Sequence, residues 1–151
     1  MFSTVRYFIK TSLIFLFIGL LTGVYLSINK YVFLKGASPG IISAHTHLIL
    51  VGSVMMMIMG VALWFFPKPG KEDKKYKPVL ILFTYFLITA ATGLRFIFQV
   101  LESIFFLKWF SYFITITSAF QVTAFILFFY SMWGRIRSVG SHLREAKGER
   151  F

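Results

Sequence analysis

Apolar residues fill four stretches of this chain, residues 11–28, 41–66, 78–101 and 109–133, and polar or charged residues gather between them. At about 1.5 Å per residue, each stretch approaches or exceeds the roughly 20 residues needed to cross a hydrocarbon layer of about 30 Å. Only a helix satisfies its own backbone groups there, so the pattern predicts an all-α integral membrane fold of four transmembrane helices. Short loops are expected at 29–40, 67–77 and 102–108. Pro39-Gly40 and Pro67-Lys68-Pro69-Gly70 mark the two ends of the second helix. Residues 1–137 read as a single transmembrane domain, and 138–151 as a polar tail.

Composition agrees with this pattern. Of 151 residues, 58% are hydrophobic and 20% aromatic, above the usual apolar share of a soluble domain. The net charge of +11 would suggest nucleic acid in a soluble protein, but its placement points to a membrane. Arg6, Lys10, Lys68, Lys71, Lys74, Lys75, Lys77, Arg135, Arg137, Arg144, Lys147 and Arg150 share one side, while Lys30, Lys35, Arg95 and Lys108 share the other: twelve against four. The positive-inside rule then expects both termini in the cytoplasm, with basic groups meeting lipid headgroups rather than nucleic acid. Trp64, Trp109 and Trp133 fall near helix ends, where interfacial aromatic belts form. The first stretch is long for a signal peptide and lacks a small-residue cleavage site, so it is expected to remain as a helix. With no cysteine, disulfides, thiolate metal sites and covalent haem attachment are excluded.

Candidate chemistry concentrates in Ser43-Ala44-His45-Thr46-His47-Leu48-Ile49-Leu50-Val51-Gly52. An imidazole in a membrane helix is a functional candidate, although one hydrogen bond to a neighbouring helix would also account for it. Two residues of α-helix turn by roughly 200°, so His45 and His47 point to nearly opposite faces and cannot both bind one iron from a regular helix. The His45 face continues through Gly52, Met56, Met59 and Leu63. On that face Gly52 removes a side chain and would leave a recess for a flat macrocycle, with Met56 as a soft contact. The His47 face continues through Val54, Ile58, Val61 and Phe65, all bulky. Arg95, near the outer end of the third helix, is expected to snorkel or to pair with Glu102. The alternative is a grip on a haem propionate. Gly19-Leu20-Leu21-Thr22-Gly23 is a GxxxG motif, read as intramolecular packing with a dimer seam as the alternative. Ser111, Thr115, Ser118 and Gln121 form a mildly polar stripe expected to face protein. No acid–base pair or nucleophile triad is visible, so hydrolysis has no equipment.

His45-Thr46-His47-Leu48-Ile49-Leu50-Val51-Gly52, continuing through Met57, Gly60, Val61, Ala62 and Leu63 to Phe66-Pro67, resembles transmembrane helix II of the haem–copper oxidase subunit I superfamily. The likeness is strongest to its nitric oxide reductase branch and to short oxidase-subunit-I-like bacterial proteins. It implies a bacterial or archaeal cytoplasmic membrane and a b-type haem held by His45, the position matching the family's low-spin axial ligand. His47 matches a position often held by an amide in that branch. The histidines of the family's binuclear centre come from later helices, and here the third and fourth helices contain none. The expectation is therefore a small cytochrome-like protein without a complete active site, serving electron transfer or binding of NO, O2 or CO. A sixth iron ligand would come from His47, from a second copy in a homodimer, or not at all. A respiratory-chain redox partner is compatible with this reading. The alternative is a haem-free accessory or assembly subunit of a respiratory complex.

Overall fold

The computed structural model describes residues 2–66 and 77–136. Four helices in it are long and apolar enough to cross a membrane. They are α1 (Phe2–Tyr31), α2 (Pro39–Phe65), α3 (Pro78–Phe105) and α4 (Trp109–Met132), the last followed by a 3₁₀ turn at Trp133–Arg135. The expected loop 67–77 and tail 138–151 fall almost wholly outside the described residues.

Local chemistry explains the ends. Pro39 and Pro78 each occupy the first turn of their helix, where a missing N–H costs nothing and the fixed φ favours entry. Thus Pro39-Gly40 opens α2 instead of lying in the preceding loop. At the far end of α3 the chain stops on Phe106, whose φ of 54° is left-handed and whose N–H reaches Glu102 O at 2.9 Å. Helix termini commonly use this conformation, but normally with glycine. Trp64, Trp109 and Trp133 all lie exposed near helix ends.

Neighbouring helices run antiparallel. Along α1 and α2, Gly23 meets His45, Gly19 meets Ile49, Phe15 meets Gly52, and Phe8 and Ile9 meet Gly60. Along α2 and α3, Ser38 meets Ser103, Ser43 meets Gln99, and Gly52 meets Thr92. Helix α2 therefore lies between α1 and α3, while α4 packs chiefly on α3. The apolar core joins Phe8, Phe15, Leu48, Met56, Met59, Leu63, Ile81, Ile88 and Phe128. Edge-to-face rings at Phe8, Tyr85 and Phe128 tie α1, α3 and α4 together.

Helix α2 is not uniform. Between α-helical Pro39–His47 and Met56–Phe65, residues Leu48–Met55 form π-helix. An i→i+5 turn takes in more residues than the 3.6 of an α-helix, so the segment is underwound. That underwinding suits a packing face of strict four-residue spacing: Ala44, Leu48, Gly52, Met56 and Gly60 are all buried. A regular helix would rotate such a row steadily out of the seam. Opposite it, Val54, Ile58, Val61 and Phe65 face outward.

Candidate functional site

His45 sits in the last turn before the π-helical segment, and its ring lies against α1. Nδ1 is 2.9 Å from Gly19 O. A carbonyl only accepts, so Nδ1 carries a proton, and in the neutral ring Nε2 then holds the lone pair. Among the described residues Nε2 has no hydrogen-bond partner. The GxxxG motif makes this approach possible. A Cβ on Gly23 would stand 3.1 Å from His45 Cε1, and one on Gly19 would run into Ile49 Cδ1. The motif thus serves packing within the chain, one helical turn of α2 per glycine.

His47 turns away from that seam. Its Nδ1 is 2.9 Å from the carbonyl of Ser43, one turn back on the same helix, which again places the proton on Nδ1. The Ser43 hydroxyl accepts from Gln99 Nε2 at 2.8 Å, so this side of α2 is bonded to α3. The two imidazoles belong to different faces, as their spacing predicts.

The recess expected beside Gly52 is filled. A Cβ there would meet Phe15 Cδ2 at 2.9 Å and Thr92 Cγ2 at 3.0 Å, so α1 and α3 both press onto the glycine. The glycine admits neighbouring helices, and no bed for a macrocycle remains on that side. Met56 is fully buried in the apolar core.

Arg95 neither snorkels nor pairs with Glu102, whose carboxylate accepts instead from Ser111 Oγ at 2.6 Å. Arg95 Nη1 donates to Gln121 Oε1 at 2.8 Å, and Gln121 Nε2 donates to Thr92 Oγ1 at 3.0 Å, forming a polar clamp across α3 and α4. Arg95 Nε is buried and unpaired in it. The α4 stripe divides accordingly: Ser111 and Gln121 bond across to α3, whereas Thr115 and Ser118 return their hydroxyls to carbonyls of their own helix. Such back-bonding satisfies the hydroxyl without a neighbour.

His45, His47, Gly52, Met56 and Arg95 therefore occupy separate seams and do not line one hollow. No group of three metal-ligating side chains occurs among the described residues. Sequence reasoning missed two residues that join distant parts of the chain. Arg135, counted there as a topology charge, is 2% exposed, and its Nη2 donates to Phe66 O at 2.9 Å and Leu63 O at 3.3 Å. It caps the carbonyl end of α2 from the end of α4, and no local signal announces a partner 69 residues away. Gln99, 5% exposed, was likewise overlooked. Its position one turn beyond Arg95 on the same face was the available clue.

Compared with known proteins, the chain matches no family model, and no curated protein or solved structure is similar to it.

Proposed function

We propose that this multi-pass membrane protein binds a b-type haem through Nε2 of His45, near the outer face of a bacterial or archaeal cytoplasmic membrane with both termini inside. A homodimer would complete the site, and the role would be electron transfer or binding of NO, O2 or CO. The observation carrying this reading is the bond from His45 Nδ1–H to the Gly19 carbonyl. A ligating histidine characteristically gives its second N–H to a carbonyl or carboxylate, which fixes the tautomer and makes the free nitrogen a better donor. Haem, when bound, supplies a one-electron couple or an open coordination position. The donor side of His45 suits that group. The Gly52 side does not, because Phe15 and Thr92 occupy it. His47 holds its Nδ1–H on a carbonyl in the same way, on another face of α2, and a second chain could meet its Nε2.

A second reading, a haem-free accessory or assembly subunit of a respiratory complex, is favoured by that same filling of the Gly52 recess. In it His45 is a helix–helix hydrogen bond and nothing more.

An optical spectrum of protein purified in detergent from haem-replete cells decides between them. Reduced-minus-oxidised bands of a b-type haem, lost in His45→Ala, support the first reading. A colourless preparation overturns it in favour of the second. The spectrum of His47→Ala with added CO reports whether the iron is five- or six-coordinate, and mass photometry reports the dimer.

A further inference from the structure

At the end of the bundle away from the chain's N-terminus, a cleft of about 260 Å³ opens where α2 begins, α3 ends and α4 starts. Its lining combines polar Ser38, Ser103, Ser111, Glu102 and Lys108 with apolar Phe106 and Leu107. We propose that this cleft binds the headgroup of a phospholipid bearing a primary ammonium, of the phosphatidylethanolamine type.

Charge argues first. Glu102 and Lys108 line the same cleft, yet no ion pair joins them. Glu102 takes one hydrogen bond, from Ser111 to Oε1, which leaves Oε2 to accept more. A carboxylate and an ammonium that form no ion pair in one cleft complement a zwitterion: the headgroup ammonium against Glu102 and the serine oxygens, whose own protons go to Ser103, Gln99 and Glu102, and its phosphate against Lys108. An anionic lipid would meet repulsion from Glu102. A quaternary ammonium would reach the cleft without any N–H to donate.

Position argues second. Phe106, Leu107 and Trp109 stand exposed at the same helix ends, at 82%, 52% and 74%. Aromatic side chains at that level mark the headgroup region, where apolar surface below the cleft would meet acyl chains. The lipid, not a soluble compound of the same headgroup, is therefore the occupant.

The backbone argues third. Phe106 holds φ at 54°, a left-handed conformation that a side chain-bearing residue adopts at some cost, and it forms part of the cleft wall. Glycine would end α3 there without strain. A bulky residue stands there instead, in the lining of the cleft.

Native mass spectrometry of the full chain released from detergent tests this, with phosphatidylethanolamine, phosphatidylcholine and phosphatidylglycerol of matched acyl chains as probes. Phosphatidylethanolamine should be retained over the other two by roughly tenfold, the worth of one charge-assisted hydrogen bond. Glu102→Gln should remove the preference over phosphatidylcholine, and Lys108→Gln should weaken both zwitterionic lipids. Far-UV circular dichroism and Tm confirm that each variant is folded; should Glu102→Gln fail that check, Lys108→Gln and the wild-type lipid ranking still decide. Equal retention of the three lipids by wild type, or an unchanged preference in a folded Glu102→Gln, overturns the proposal. So does soluble phosphoethanolamine competing as well as the lipid, which would make the occupant a soluble zwitterion.

Discussion

His45 Nδ1 stands 2.9 Å from the carbonyl oxygen of Gly19, and the same GxxxG motif that exposes this carbonyl also clears space for the imidazole at Gly23. This polar contact and this glycine pair thus set how α1 and α2 meet at the His45 end of their seam. That relationship separates the structural worth of His45 from its chemical worth. A single interhelical hydrogen bond in a membrane protein contributes about 0.5–2 kcal/mol. His45→Ala should lower Tm in detergent modestly while leaving the helices intact, as circular dichroism would record. A larger collapse would mean that the imidazole holds more than this bond.

Gly23→Leu should separate α1 from α2. Overpacking a tight contact costs about 1–3 kcal/mol, and Gly23 has a ring 3.1 Å from where its Cβ would stand. Gly19→Ala presses on both Cγ1 and Cδ1 of Ile49, so Ile49→Ala, which removes both atoms, should restore part of the lost stability. Thermal unfolding of both single variants and the double variant measures the coupling. Strict additivity would show that these side chains do not meet.

Gly52→Ala should cost about 1–3 kcal/mol as well, since its Cβ would press on Phe15 and Thr92 at once. Phe15→Leu in the same chain should recover part of the loss. If Gly52→Ala is neutral, the recess is open and the packing described for α1 and α3 is wrong.

Across α3 and α4, Gln121→Leu should orphan Arg95 Nη1 and Thr92 Oγ1, at about 1–3 kcal/mol for each buried group left unpaired. The double variant Arg95→Met, Gln121→Leu replaces both partners with apolar groups and should lie closer to wild type than Gln121→Leu alone. A double variant weaker than either single one would mean that Arg95 has a further essential partner.

Arg135→Ala should free the carbonyls of Leu63 and Phe66 and fray the end of α2. Hydrogen exchange should accelerate around residues 63–66 by tenfold or more, about 1.4 kcal/mol of local stability. Arg135→Lys should protect only partly, because Nη2 serves both carbonyls while Nη1 holds Met132 Sδ, and a single ammonium cannot reproduce both attachments.

The cysteine-free sequence also allows a clean test of orientation. Single cysteines at Lys35 and Lys108 should react with a membrane-impermeant maleimide on intact spheroplasts, and one at Lys77 only after lysis. The reverse pattern would invert the proposed topology.

Number and type of helices were legible in the chain itself, because a bilayer admits few solutions and long apolar runs announce them without reference to neighbours. The opposed faces of His45 and His47 were legible for the same reason: rotation per residue is a local property. What the recess at Gly52 holds was not, since a glycine states only that something comes close, and Phe15 and Thr92 arrive from two other helices. Nor was the partner of Arg95. Glu102 was closer in sequence and opposite in charge, but about two turns of α3, roughly 10 Å, separate the pair, whereas antiparallel packing brings Gln121 alongside. The π-helical turns of Leu48–Met55 follow the same logic. Four-residue spacing of small and apolar side chains lies within the range of a regular helix, and only docking against α1 and α3 together makes underwinding the lower-energy choice. Periodicity is written residue by residue, whereas register between helices depends on surfaces that exist only after the helices meet.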